Sequence, residues 1–129
     1  MITIMPAKRP DDDEVLAALG VPAHADALLL RDSGGEVLGH AVFAVSGDTV
    51  EVICVQCPVP MLTEGLIRAV LNAGDCRGAA FGLCRDADTA GVSEAMLRGL
   101  EFAPAEDGMR VSIEAFFRSG CQHENGQTK

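Results

Sequence analysis

The sequence predicts an α/β (α+β) domain: a mixed, mostly antiparallel sheet flanked by helices, with a parallel crossover at its centre. Three observations predict it. Residues 27–55 hold three β-prone runs separated by short turns at residues 32–35 and 46–48, the pattern of an antiparallel meander. Apolar residues then recur at helical spacing over residues 61–73. A further strand and a further helical pattern follow, and strand, helix, strand within one sheet imply a parallel crossover.

Ile2, Thr3 and Ile4 form a short strand that stops at Pro6. The acidic run from Asp11 to Glu14 opens a short helix that Gly20 closes, since anions suit a helix N-terminus and glycine accepts the left-handed stop. Residues 27–31 and 36–45 make a hairpin around Asp32-Ser33-Gly34-Gly35, and residues 49–55, dense in β-branched side chains, make the next strand. Pro58 and Pro60 end it, because neither can donate to a ladder. Leu62, Leu66, Ala69, Val70 and Ala73 then share one helical face, with Gly74 as the stop. Residues 78–84 read as a buried strand, and Asp88-Thr89 as the cap of a helix presenting Val92, Met96, Leu97 and Leu100. After Pro104 and a turn at residues 106–108, Met109, Val111 and Ile113 alternate with polar residues in a last strand, and Phe116 and Phe117 close the core.

At 129 residues, 48% of them apolar and 22% charged, the chain suits one folded domain, residues 1–119, followed by a flexible polar tail, residues 120–129. Nineteen acidic residues against ten basic ones give a formal charge of -9, which repels phosphate backbones and excludes nucleic acid as a partner. No apolar run approaches the roughly 20 residues of a membrane span. Lys8-Arg9 follows the first apolar stretch rather than preceding it, the reverse of a secretory signal, so a cytoplasmic location is expected. Five cysteines, at positions 54, 57, 76, 84 and 121, then read as reduced thiols.

The element order resembles that of the GNAT superfamily of N-acetyltransferases, and three strings sharpen the likeness. Ile2-Thr3-Ile4-Met5-Pro6-Ala7 with Asp11 and Glu14 is similar to its opening strand and helix. The string from Leu66 to Ala73, then Arg77-Gly78, is similar to its central helix and the turn after it; Met96-Leu97-Arg98-Gly99-Leu100-Glu101-Phe102 resembles its late helix. The resemblance implies an acetyl-CoA-dependent N-acetyltransferase acting on a small-molecule or protein amine, with a degenerate cofactor loop. The family's pyrophosphate loop, Gln/Arg-x-x-Gly-x-Gly/Ala, corresponds to Pro58-Val59-Pro60-Met61-Leu62-Thr63, where Pro58, Met61 and Thr63 replace the Arg and both glycines. Two prolines there remove two backbone donors, and Met61 obstructs close approach of a ligand. The family's thiolate-protonating tyrosine has no counterpart either: the chain contains no tyrosine, and Leu97 takes its place.

By the same resemblance, Glu51 is the candidate general base, the backbone of Val55, Gln56 and Cys57 the candidate pantetheine contact, and Met61, Leu62 and Thr63 the candidate phosphate end of the acetyl-CoA site. Against this stands a plain alternative in which Glu51 is a solvated residue on the non-core face. A catalytically inactive binding or regulatory module on the same scaffold is the second functional reading, and a thiol or metal-binding protein the third. Cys54 and Cys57, if both lie on an extended strand, point to opposite faces, and no second Cys-x-x-Cys completes a zinc site, so no metal ligand is assigned. Cys121 and His123 supply two ligands in the tail, which is not a site. His24 and His40 are placed by default in a surface loop and on a strand surface, and Arg85 and Asp86 at the mouth of the expected cleft. Oligomeric state stays open, a dimer included.

Overall fold

The computed structural model describes residues 2–117; the expected polar tail, with Cys121 and His123, lies outside the described residues. Strands β1 (Thr3–Pro6), β2 (Asp26–Arg31), β3 (Val37–Ser46) and β4 (Thr49–Gln56) form an antiparallel meander, with helix α1 (Asp13–Ala18) between the first two. Helix α2 (Pro60–Cys76) then crosses to β5 (Phe81–Cys84), which pairs with β4 in parallel. Two short helices, α3 (Ala87–Ala90) and α4 (Glu94–Gly99), lead to the hairpin of β6 (Ala103–Ala105) and β7 (Gly108–Ser112). The result is a seven-stranded sheet in the order β1-β2-β3-β4-β5-β7-β6. Among the described residues, no helix is long and apolar enough to cross a membrane.

One face of the sheet carries the core. Leu28 and Leu30 of β2, Ala41 and Phe43 of β3, and Val50, Val52 and Val55 of β4 pack with Leu66, Ile67, Val70 and Leu71 of α2, and the α3–α4 segment adds Ala90, Val92, Leu97 and Leu100. Alternation sends Leu29, Val42, Glu51 and Leu83 to the opposite face. A bulge adjusts this pattern in β4: Val42 faces Cys54 while Phe43 faces Val52, so Ile53 is an extra residue. Beyond it the parity changes, Val55 returns to the core face, and Gln56 points away from it beside His40, its cross-strand partner.

Five sequence expectations need correction. Gly74 does not stop α2, which runs on to Cys76; a methyl at Gly74 would stand 2.5 Å from Val50 Cγ1, so the glycine is there for close helix-to-sheet packing. The chain turns instead at left-handed Gly78, and β5 starts only at Phe81. The single helix expected after Asp88-Thr89 is two, split at left-handed Gly91, with Asp86 capping α3 through Asp88 N–H and Ser93 capping α4 through Met96 N–H. The last strand ends at Ser112, residues 113–117 are helical, and Ala103–Ala105 form a further strand, an edge strand in which proline is tolerated. Finally, His40 is not on a surface, as its 5% exposure shows.

Candidate functional site

Parallel pairing between β4 and β5 extends only over Thr49, Val50 and Glu51 against Phe81, Gly82 and Leu83. Past that point β4 runs on to Gln56 while β5 ends at Cys84, and the two strands part. Two chemically different regions lie along β4. His40 and Ala44, opposite Gln56 and Glu51, lie four residues apart along β3, or about 13 Å at the usual rise per residue.

The first region is charged. Glu51, the candidate base, forms an ion pair with Arg85, Nε to Oε2 3.2 Å, because Arg85 lies two residues beyond Leu83 on the same face. Arg110 of β7 completes the cluster. It donates to Thr49 Oγ1 at 3.0 Å, approaches Asp107 at 3.8 Å and stacks 5.0 Å above the Phe81 ring. Arg85 thus answers to Glu51, while Asp86 caps a helix.

The second region is a cavity of about 620 Å³ at the far end of β4. Leu19 after α1, Val37 and Leu38 of β3, and Pro58 line it together with His40, Gln56 and Cys57, and polar atoms make up more of the lining surface than apolar ones. Gly91 closes its side toward the parting strands: with φ at +79° it lies so close that a methyl there would stand 2.7 Å from the Val55 carbonyl oxygen. Gln56 O faces β3, where a methyl on Gly39 would meet it at 2.7 Å, so the neighbouring Val55 O points the other way, into the gap. The α3–α4 turn therefore covers the acceptor that an extended ligand would pair with along β4.

The candidate cofactor residues divide between these places. Val55, Gln56 and Cys57 line the cavity; Met61, Leu62 and Thr63 do not. Met61 is 81% exposed at the head of α2, and Thr63 is buried. Backbone N–H groups of Leu62 and Thr63 both donate to the Val59 carbonyl at 3.0 Å, Thr63 Oγ1 donates to the same oxygen at 3.2 Å, and Cys57 Sγ does so at 3.5 Å. Pro60 has no N–H, which leaves Met61 alone among residues 60–63 with a backbone donor not given to Val59. A pyrophosphate needs several convergent N–H groups. The residues present do not fit one.

Sequence reasoning missed His40. The residue is buried, and no group among the described residues hydrogen-bonds its imidazole. Burial pushes its pKa below the ordinary 6.5, so it is neutral near pH 7. The available signal was its place opposite Leu29, inside the run Leu28-Leu29-Leu30, whose continuous apolar character marks a strand covered on both faces. Leu97, at the position assigned to the family's tyrosine, is fully buried in the core. Cys54, Cys57, Cys76 and Cys84 are free thiols; burial pushes the Cys84 thiol upward, away from reactivity. Among the described residues no three His, Cys, Asp or Glu side chains are grouped so as to hold a metal ion.

No protein-family model matches the chain, and no curated protein matches it in sequence. Solved structures do match. The ribosomal-protein-S18-alanine N-acetyltransferase from Escherichia coli aligns with a TM-score of 0.63 at 17% identity, over 88% of this chain and 94% of that one. The chain has the GNAT fold. A GNAT family N-acetyltransferase from Escherichia coli, in complex with CoA, matches this GNAT-fold chain with a TM-score of 0.61 at 14% identity, over 87% of this chain and 81% of the other. A GNAT family acetyltransferase from Brucella melitensis, in complex with acetyl-CoA, does so with 0.62 at 15% identity, over 87% and 88%.

Proposed function

We infer that this GNAT-fold chain is a catalytically inactive binding module of the cytoplasm that holds a small ligand in the cavity at the end of β4. The observation that carries this reading is the convergence of the α2 donors on the Val59 carbonyl, which leaves the head of the helix without a grip for pyrophosphate. Two further features agree with it. Glu51 is held by Arg85, and the position of the expected proton donor is an apolar core residue, Leu97.

Acetyl-CoA is the discriminating probe. A site with a Kd of about 10 µM, at about 1 mM free ligand, would add about 2.7 kcal/mol to stability. For a domain of this size that is a rise in Tm of roughly 10 °C. The binding-module reading expects less than about 1 °C by differential scanning calorimetry; a rise of several degrees would overturn it.

A second reading is acetyl transfer to an amine, supported by the CoA and acetyl-CoA complexes among the structural neighbours. It requires Glu51 to leave Arg85 and act as the base. Mass spectrometry of acetyl-CoA incubated with the protein and a panel of primary amines separates the two readings, since only transfer releases CoA together with an acetylated amine.

A further inference from the structure

His40 is buried as a residue, yet no group among the described residues hydrogen-bonds its imidazole, so both ring nitrogens keep their capacity for an outside group. The buried side-chain nitrogens without a partner among the described residues are Arg31 Nε and Arg110 Nε, so the ring nitrogens of His40 are not sealed in protein; they open onto the cavity that His40 lines. Neutral imidazole presents one donor and one acceptor. It is matched by a group that both gives and takes a hydrogen bond, such as a hydroxyl.

The remaining wall narrows the ligand further. Leu19, Val37, Leu38 and Pro58 supply patches of apolar surface within a lining that is mostly polar but neutral, Gln56 and the Cys57 thiol included, and no carboxylate, lysine or arginine lines the cavity. An ammonium or a carboxylate ligand would find no counter-charge in the wall, and a carboxylate would also meet a chain whose formal charge is -9. At about 620 Å³ the space lies in the range of small-molecule sites. We propose that this cavity binds a small uncharged molecule with an apolar body and one hydroxyl-like group, and that His40 anchors that group. The proposal rests on the binding-module reading and names the ligand class of that site.

Three isosteric probes test it on the full chain: 2-phenylethanol, phenethylammonium and phenylacetate share an apolar body and differ in charge. Binding is followed by the imidazole nitrogen shifts of His40 and by titration of the backbone amide spectrum. The neutral alcohol binds about tenfold more tightly than either ion, and His40→Leu, with its amide spectrum still dispersed, loses about tenfold for the alcohol while His40→Asn keeps part of it. Equal or tighter binding of either ion, no shift at His40 with the alcohol, or an undiminished affinity in His40→Leu each overturn the proposal. Ordering of the probes needs no variant, so a misfolded His40→Leu does not remove the test. Acetylated amine from acetyl-CoA in the parallel incubation would sink the inactive-module reading while the probe order still decides the anchor.

Discussion

His40 and Asp12 are two residues whose folded environments shift their titration, and the pH windows differ. Burial lowers the pKa of His40, so as pH falls through 6.5 the unfolded chain takes up the proton before the folded chain does. Folding stability therefore drops on acidification from pH 7.5 to 5.5. Urea unfolding at those two pH values checks this: the drop should be smaller in His40→Asn than in the native chain, and an equal drop in both would show that the imidazole is not desolvated. Asp12 works lower on the scale. The backbone N–H of Lys8, at 2.8 Å, and then Arg31, at 3.2 Å, hold its carboxyl below the ordinary 3.8, so the stability it contributes is present above that value and lost below it. Between pH 7.5 and 5.5 Asp12 stays ionised and does not mask the histidine. The role of Asp12 was not legible in the sequence, because it depends on Arg31, brought to it by the pairing of β2; that of His40 was signalled by the continuous apolar run Leu28-Leu29-Leu30 on the strand opposite.

At the scale of elements, local chemistry marked existence well and boundaries less well. The helical period of α2 and the β-branched density of β4 were both plain in the sequence, since each belongs to one element alone. What the sequence could not show was the function of a glycine: Gly74 reads as a helix stop by rank, yet it sits inside α2 where Val50 presses on the helix. At Gly99, which ends α4, a methyl would meet nothing within 4 Å. The two should therefore respond with opposite sign. Gly74→Ala forces Val50 or the helix to move and should cost about 1–3 kcal/mol; Gly99→Ala should be neutral or gain up to about 1 kcal/mol from helix propensity. Denaturant unfolding measures both. The bulge at Ile53 was equally hidden, although it decides which side of β4 carries Val55 and Gln56, because a bulge is written in the pairing of two strands and not in either one.

For the whole molecule, the topology was readable because the order of turns, prolines and period changes permits few arrangements, and the right-handed crossover rule prunes those. The departure from the family's phosphate loop was visible in the sequence as two prolines and a methionine where the resemblance calls for donors and glycines. The second obstacle was not, since Gly91 reaches Val55 only through the fold. Two obstacles at separate places should act independently. Coenzyme A divides accordingly, into a nucleotide half that needs the head of α2 and a pantetheine half that needs free backbone along β4. In a variant carrying Pro58→Arg, Pro60→Ala, Met61→Gly and Thr63→Gly, the head of α2 regains an N–H at residue 60, gains a cation and loses the Thr63 hydroxyl from Val59, while the Gly91 contact is untouched. That variant should bind 3′-phosphoadenosine 5′-diphosphate, read as a Tm rise of at least about 3 °C at millimolar ligand, where the native chain shows none. Acetyl-pantetheine should stabilise neither protein. A rise with acetyl-pantetheine in the native chain would mean that the α3–α4 turn moves aside and that the loop alone keeps acetyl-CoA out; no rise with the nucleotide in the variant would mean that the donors at the head of α2 are not what the phosphates lack.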